Sequence, residues 1–200
     1  IHAITDGRDV APDCAKKYIT QIEEICDEDI TLATIGGRYY AMDRDNNFDR
    51  AEKAYRSIVE GENKTEQSAV EYIDSQYAKK VFDEFIEPSS LNGYTGFKDG
   101  DSVVFCNFRS DRARQLSKAI ADKNFSEFTT PDLSLKVTTM TEYDKNFPLP
   151  VLFPKEAPKN IDKRNKATEA PKVKIKEKVE KKVEPQKDKI KEEPKKPKEV

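Results

Sequence analysis

Along the first 147 positions, short β-rich apolar runs alternate with longer stretches whose apolar residues recur every three or four positions. "IHAIT" (1–5), "ITLATI" (30–35), "SVVFCNF" (102–108) and "LSLKVTTM" (133–140) read as strands. Gly36-Gly37 reads as the end of the second strand. Pro12 is expected to open a helix with Ala15, Tyr18, Ile22, Ile25 and Cys26 on its inner face. A second helix has Phe48, Ala51, Tyr55, Ile58 and Val59 on one side and Gly61 at its end. A third helical stretch carries Val70, Ile73 and Tyr77, then Val81, Phe82 and Phe85. "RARQLSKAIAD" gives a fourth helix, with Leu116, Ala119 and Ile120 facing inward. Strands alternating with helices predict an α/β fold, a layered α/β/α domain with a mainly parallel sheet, over residues 1–153.

The pattern stops there. Residues 154–200 are chiefly Lys, Glu, Pro and Val, with 17 Lys and Arg against 10 Asp and Glu after residue 150. Such a segment buries too little apolar surface to offset the entropy of ordering it, so a disordered charged tail is expected. Ile175, Val179 and Val183 recur every four residues and allow a transient helix, limited by Pro185, Pro194 and Pro197. The preceding 150 residues hold 19 basic and 28 acidic residues. An acidic body disfavours nucleic acid as a partner. No apolar run reaches the roughly 18 residues of a membrane span. Three cysteines without metal-ligand spacing fit a reduced, cytoplasmic setting. The chain opens on Ile1 in what reads as mid-strand, which suggests a fragment.

Candidate chemistry sits at the carboxyl ends of the expected strands. "DGRD" places Arg8 and Asp9 after the first strand, "GRYYAMDRD" places Arg38 and Arg44 after the second, and "RSDR" places Arg109 and Arg112 after the third. In open α/β sheets, ligands bind outside the carboxyl ends of the strands. If the strands are parallel neighbours, five arginines converge on one crevice. The guanidinium fork matches carboxylate and phosphate oxygens two at a time, so a small multiply charged phosphoacid is the expected ligand. The alternative is a set of structural pairs with Asp6, Asp9, Asp43, Asp45 and Asp111. Asp9 is the candidate catalytic residue, placed to accept a hydrogen bond from a substrate hydroxyl or take its proton. Arg50, after Asp49 on the second helix, is expected to lie away from the strand ends. His2 and Cys106 read as packing residues, and no metal ligands are evident.

"DGRDVAP", "GRYYAMDRD" followed by "DRAEKAYRSIVEG", "DEFIEPS" and "FCNFRSDRARQLSKAI" resemble, in order, the cofactor-independent (2,3-bisphosphoglycerate-independent) phosphoglycerate mutase family. The resemblance implies interconversion of 3-phosphoglycerate and 2-phosphoglycerate in glycolysis. It also implies a two-manganese domain with a phosphorylated serine, and an inserted transferase domain that holds the glycerate. This chain is similar to most of that inserted domain. By position, Arg8, Asp9, Arg38, Arg44, Arg109 and Arg112 match the substrate-binding residues of the family. The serine, the manganese ligands, a substrate histidine and a substrate lysine match nothing in this chain. Ser110 stands where the family usually has Pro, and Asn46-Asn47-Phe48 replaces a more basic stretch containing Trp. The chain alone is then expected to be a monomer, inactive without the metal domain. The other class of reading is a non-catalytic phosphoacid-binding module, or a decayed gene product whose tail recruits partners.

Overall fold

The computed structural model describes residues 1–154, so the expected tail lies, from residue 155 on, outside the described residues. Strands β1 (His2–Thr5) and β2 (Thr34–Gly37) pair in parallel, Ala3 opposite Ile35. The two-residue strand β3 (Ser89–Ser90) adds to β2 in antiparallel sense. β4 (Ser102–Phe105) and β5 (Lys136–Thr139) form a separate parallel pair, Val103 opposite Val137. The parallel pairing of the sequence reading holds, divided between two sheets. The unpaired edges of β1 and β4 both line an apolar cavity of about 370 Å³ that includes Ile4, Phe97, Val103 and Ile120.

Five helices connect the strands: α1 (Ala15–Glu23), α2 (Arg38–Ala41), α3 (Phe48–Glu60), α4 (Ala69–Ala78) and α5 (Ser110–Ala121). Alternation along β1 separates two cores. Ala3 packs with Ala15, Ile19, Tyr72 and Ile73 of α1 and α4, while Ile4 packs with Ile58, Leu116 and Ile120 of α3 and α5. The sheet residues thus lie between two helical layers, which is the expected α/β/α architecture. The face read for α3 is the buried one, and Gly61 ends that helix in the left-handed region with φ 64°. The α4 N-terminus carries a capping box, in which the Ser68 hydroxyl accepts from Glu71 N–H and the Glu71 carboxylate accepts from Ser68 N–H.

Several local expectations are corrected. Helix α1 buries Ala15 and Ile19, half-buries Ile22 and leaves Tyr18 exposed; it ends at Glu23, so exposed Ile25 and half-buried Cys26 lie beyond it. Its apolar positions form two stripes, and contact with α4 selects one. Gly36 and Gly37 do not close β2; they are its second half. The segment 83–88 crosses them so closely that a Cβ on Gly37 would stand 2.6 Å from the Glu84 carbonyl carbon. The third helical stretch ends at Ala78, Lys80 turns with φ 61°, and Asp83–Phe85 form a 3-10 turn with Phe82 and Phe85 exposed. Cys106 is exposed, as is Phe108, because the β4 edge they follow has no neighbouring strand.

His2 is a packing residue. Its ring stacks edge-on to Tyr94 and Phe97 and meets the Thr34 hydroxyl at 3.0 Å. Burial, helped by the nearby terminal ammonium, pushes its pKa from 6.5 down to about 4. The fold therefore holds a neutral imidazole that the unfolded chain protonates more readily. This contribution to stability is complete above pH 6.5 and is lost as pH falls toward 4. Between those values, unfolding free energies should fall with acidification by up to about 1.4 kcal/mol per pH unit more in the native protein than in His2→Phe. Equal slopes in denaturant titrations would contradict this.

Candidate functional site: two arginine groups joined by a short helix

The loop after β1 is fixed at both ends by one residue. The Thr5 hydroxyl donates to the Asp83 carbonyl at 2.6 Å, and Asp83 N–H donates to the Pro12 carbonyl at 2.9 Å. The Asp83 carboxylate then accepts from Cys14 N–H at 2.9 Å and Ala15 N–H at 2.8 Å, capping α1 from elsewhere in the chain. Within this loop, Asp6 accepts from Arg8 N–H and Asp9 N–H. Gly7 has φ 66°, and a Cβ there would lie 2.7 Å from the Asp83 Cβ. Both facts demand glycine.

Arg38 opens α2 directly after β2. Its side chain is buried, 6% exposed, and its Nη1 bonds Asp6 and, at 3.0 Å, Asp9. Its Nε has no partner. Burial alone would raise the Asp6 pKa, but the Arg38 hydrogen bond and the loop N–H groups pull it below the usual carboxylate range. Arg8 reaches Glu84 at 3.4 Å. This first group therefore holds two arginines against three carboxylates, and its charge is more than compensated.

The second group is different. Arg44 Nη1 donates to Asp111 Oδ2 at 2.7 Å, and Arg109 Nε lies 3.6 Å from Asp111 Oδ1. Arg112 Nη1 donates to the Met42 carbonyl at 3.1 Å. Two arginines thus pair with one carboxylate, Asp111, at the N-terminus of α5, with Arg112 held beside them on a backbone carbonyl, and the N-cap, Arg109, supplies no side-chain cap. Cations and a helix N-terminus together favour an anion. Arg44 and Arg109 keep 46% and 65% of their side-chain surface exposed, so their remaining donors are open to a ligand. The Arg44 hydrogen bond holds Asp111 below the usual carboxylate range.

The expected single convergence is thus two groups, linked through α2: Arg38 begins it, and Met42, which Arg112 contacts, follows it. A groove of about 560 Å³ runs beside the second group but is lined by only one expected site residue, Arg44. The ion-pair geometry marks the site better than that groove does. Arg50 is not remote. It bonds Asp43 at 3.5 Å and lies 4.1 Å over the Tyr39 ring. Sequence reasoning named Asp43 as a possible structural partner of the arginines but missed its role in organising the turn, and it missed Asp83 and Gln115 altogether. Buried carboxylates are rare unless paired, and nothing in their neighbours marks them.

The structure is a layered α/β domain that carries arginines just beyond the carboxyl ends of its strands. The family model described as BPG-independent PGAM N-terminus (iPGM_N) matches residues 1–145, and the chain belongs to that family. The curated 2,3-bisphosphoglycerate-independent phosphoglycerate mutase of Aliarcobacter butzleri is 59% identical over 160 residues, 80% of this chain and 33% of that protein. The enzyme of the same name from Sulfurimonas denitrificans is 54% identical over the same shares. The chain spans about a third of the length of the curated relatives it matches. A crystal structure of Leishmania mexicana phosphoglycerate mutase at low cobalt concentration superposes with a TM-score of 0.69. It is 28% identical and covers 76% of this chain and 31% of that one. No helix among the described residues is long and apolar enough to cross a membrane.

Proposed function

We propose that this chain is the phosphoglycerate-holding part of a cofactor-independent phosphoglycerate mutase that interconverts 3-phosphoglycerate and 2-phosphoglycerate. The observation that carries this is the surplus of arginine around Asp111 at the α5 N-terminus, within a chain of this family. Arg44 and Arg109 grip phosphate or carboxylate oxygens with their open donors. Arg112, tied to Met42, adds fixed positive charge, and Arg8 closes from the first loop. Arg38, turned inward, orients Asp9. Asp9 keeps 66% of its side-chain surface exposed and can take or return the proton of the glycerate hydroxyl that loses or gains the phosphoryl group.

Among the described residues no group of three or more His, Cys, Asp or Glu could hold a metal ion. The two manganese ions implied by the family therefore have no holder assigned here, and no step is routed through them. Isomerisation needs a nucleophile as well as a holder, and none of these residues is placed as one. The chain alone should show no turnover in an enolase-coupled assay, with or without manganese. Substituted for the matching third of the Aliarcobacter butzleri protein, it should restore turnover. Arg109→Ala in that chimera should lower kcat/KM by about 100-fold, the size of effect found when one charge-stabilising donor is removed. A fully active Arg109→Ala chimera would contradict the assignment.

A further inference from the structure

We propose that Gln115 is a positioning residue for Arg44: its side-chain amide bridges the Asp43 carboxylate and the Asn46 N–H, holding the Arg44 turn against the first two turns of α5. The inference rests on the reading of Arg44 as a ligand contact, and Gln115 itself touches no ligand.

Residues 43–47 wind around one carboxylate. Asp43 Oδ2 accepts from Asp45 N–H at 3.1 Å and Asn47 N–H at 2.9 Å, and Oδ1 accepts from Asn47 Nδ2 at 2.9 Å. The Asp43 side chain is 4% exposed, and Asn46 takes φ 61° to close the turn. Those bonds set the shape of the turn but not its place on α5. Gln115 fixes the place from the second turn of α5, beside the Arg44–Asp111 and Arg112–Met42 contacts on the first. Its Nε2 donates to Asp43 Oδ2 at 3.1 Å and its Oε1 accepts from Asn46 N–H at 3.4 Å. Gln115 lies four residues after Asp111, so the two side chains share one face of α5, a turn apart. Arg44 meets Asp111 on one turn while its flanking residues meet Gln115 on the next.

The chemistry asks for an amide. A donor must face Asp43 and an acceptor must face Asn46 N–H, and the glutamine amide offers both from one planar group at the end of a flexible stem. Glutamate would set a second carboxylate against Asp43. Methionine keeps length, helix propensity and the half-buried stem while deleting both bonds.

The test uses Gln115→Met and Gln115→Glu, each alone and with Arg44→Ala. Without ligand, the heteronuclear NOE of the Arg44 Nε–Hε group reads its order. It should be high in the native protein and collapse in Gln115→Met, while the denaturation midpoint and the Arg112 signal stay unchanged. In a 3-phosphoglycerate titration, Gln115→Met should bind about fivefold more weakly and Gln115→Glu more weakly still. The Gln115→Met, Arg44→Ala double variant should bind no more weakly than Arg44→Ala, because contacts that act as one unit are not additive. An Arg44 signal as ordered in Gln115→Met as in the native protein, or losses that add in full, would overturn the proposal. If Arg44→Ala leaves affinity intact, the ligand reading of Arg44 fails, and the ligand-free NOE still decides whether Gln115 positions it.

Discussion

Asp83→Ala is expected to destabilise the folded protein by about 4 kcal/mol, the largest single-residue effect anticipated here. Asp83 is 1% exposed, and its carboxylate accepts from two backbone N–H groups at the start of α1 and from the Tyr77 hydroxyl. Truncation leaves one buried donor, Ala15 N–H, and two half-buried ones, Cys14 N–H and the Tyr77 hydroxyl, without their partner, at roughly 1–3 kcal/mol for a buried donor and less for the others. It also removes a negative charge from the positive end of the α1 dipole. Burial and the Asp83 carboxylate push the Tyr77 phenol well above its usual pKa, so it remains a donor at any ordinary pH. Asp83→Asn keeps an acceptor in place and should lose about half as much. Urea unfolding of both variants checks the claim. A loss below about 1 kcal/mol for Asp83→Ala would mean that water satisfies these donors. Because the loop carrying Arg8 and Asp9 is anchored by the Asp83 main-chain carbonyl and N–H, which alanine keeps, the folded fraction of Asp83→Ala should retain ligand binding.

Arg38→Met is expected to weaken phosphoglycerate binding more than tenfold and to lower stability by about 2 kcal/mol. Arg38 is the one buried cation among the strand-end arginines, and it faces Asp6 and Asp9. Breaking a fully buried pair costs roughly 3–5 kcal/mol. The partners here are 35% and 66% exposed, so solvent recovers part of that cost. The effect on binding is electrostatic. Without Arg38 the first group holds Asp6, Asp9 and Glu84 against Arg8 alone, a repulsive surface for an anion. Arg38→Lys should recover stability better than affinity, because an ammonium cannot keep two carboxylates aligned in one plane. Equal binding by Arg38→Met and the native protein would show that the first group plays no part in the site.

What the sequence made legible divides along physical lines. The face of α3 was readable because Ala51, Tyr55, Ile58 and Val59 leave only one possible stripe, and Gly61 takes the αL conformation that ends it. The face of α1 was not, because Tyr18 and Ile25 compete with Ile19, and the choice depends on α4. Gly36-Gly37 looked like a break because glycine weakens strands. The reason for glycine there is the close passage of residues 83–88, which is a tertiary fact. The arginines were legible by position at strand ends. Their division into a compensated group and a cationic one was not, since it depends on Glu84 and Asp111 reaching across the fold. Asp43 was legible only as one possible partner of an arginine, and nothing in the sequence singled out Asp83 or Gln115; the packed structure shows that the two aspartates are buried and that all three residues brace the loops that carry the arginines.

The most direct test of the phosphoacid site is a chemical-shift titration of the intact chain with 3-phosphoglycerate. The partners are Arg44→Ala, Arg109→Ala and, as a control, Lys16→Ala, whose ammonium pairs with Asp74 across α1 and α4. Each charged hydrogen bond contributes roughly 1.5–3 kcal/mol, and association costs offset much of that in an open site. The native chain should bind at about millimolar, near −4 kcal/mol, and more weakly in higher salt. Arg44→Ala and Arg109→Ala should each lose several-fold, with shifts centred on residues 109–112, and Lys16→Ala should match the native protein. If Lys16→Ala loses as much as Arg109→Ala, or the shifts spread evenly over the basic surface, binding is diffuse charge attraction and the site is wrongly assigned.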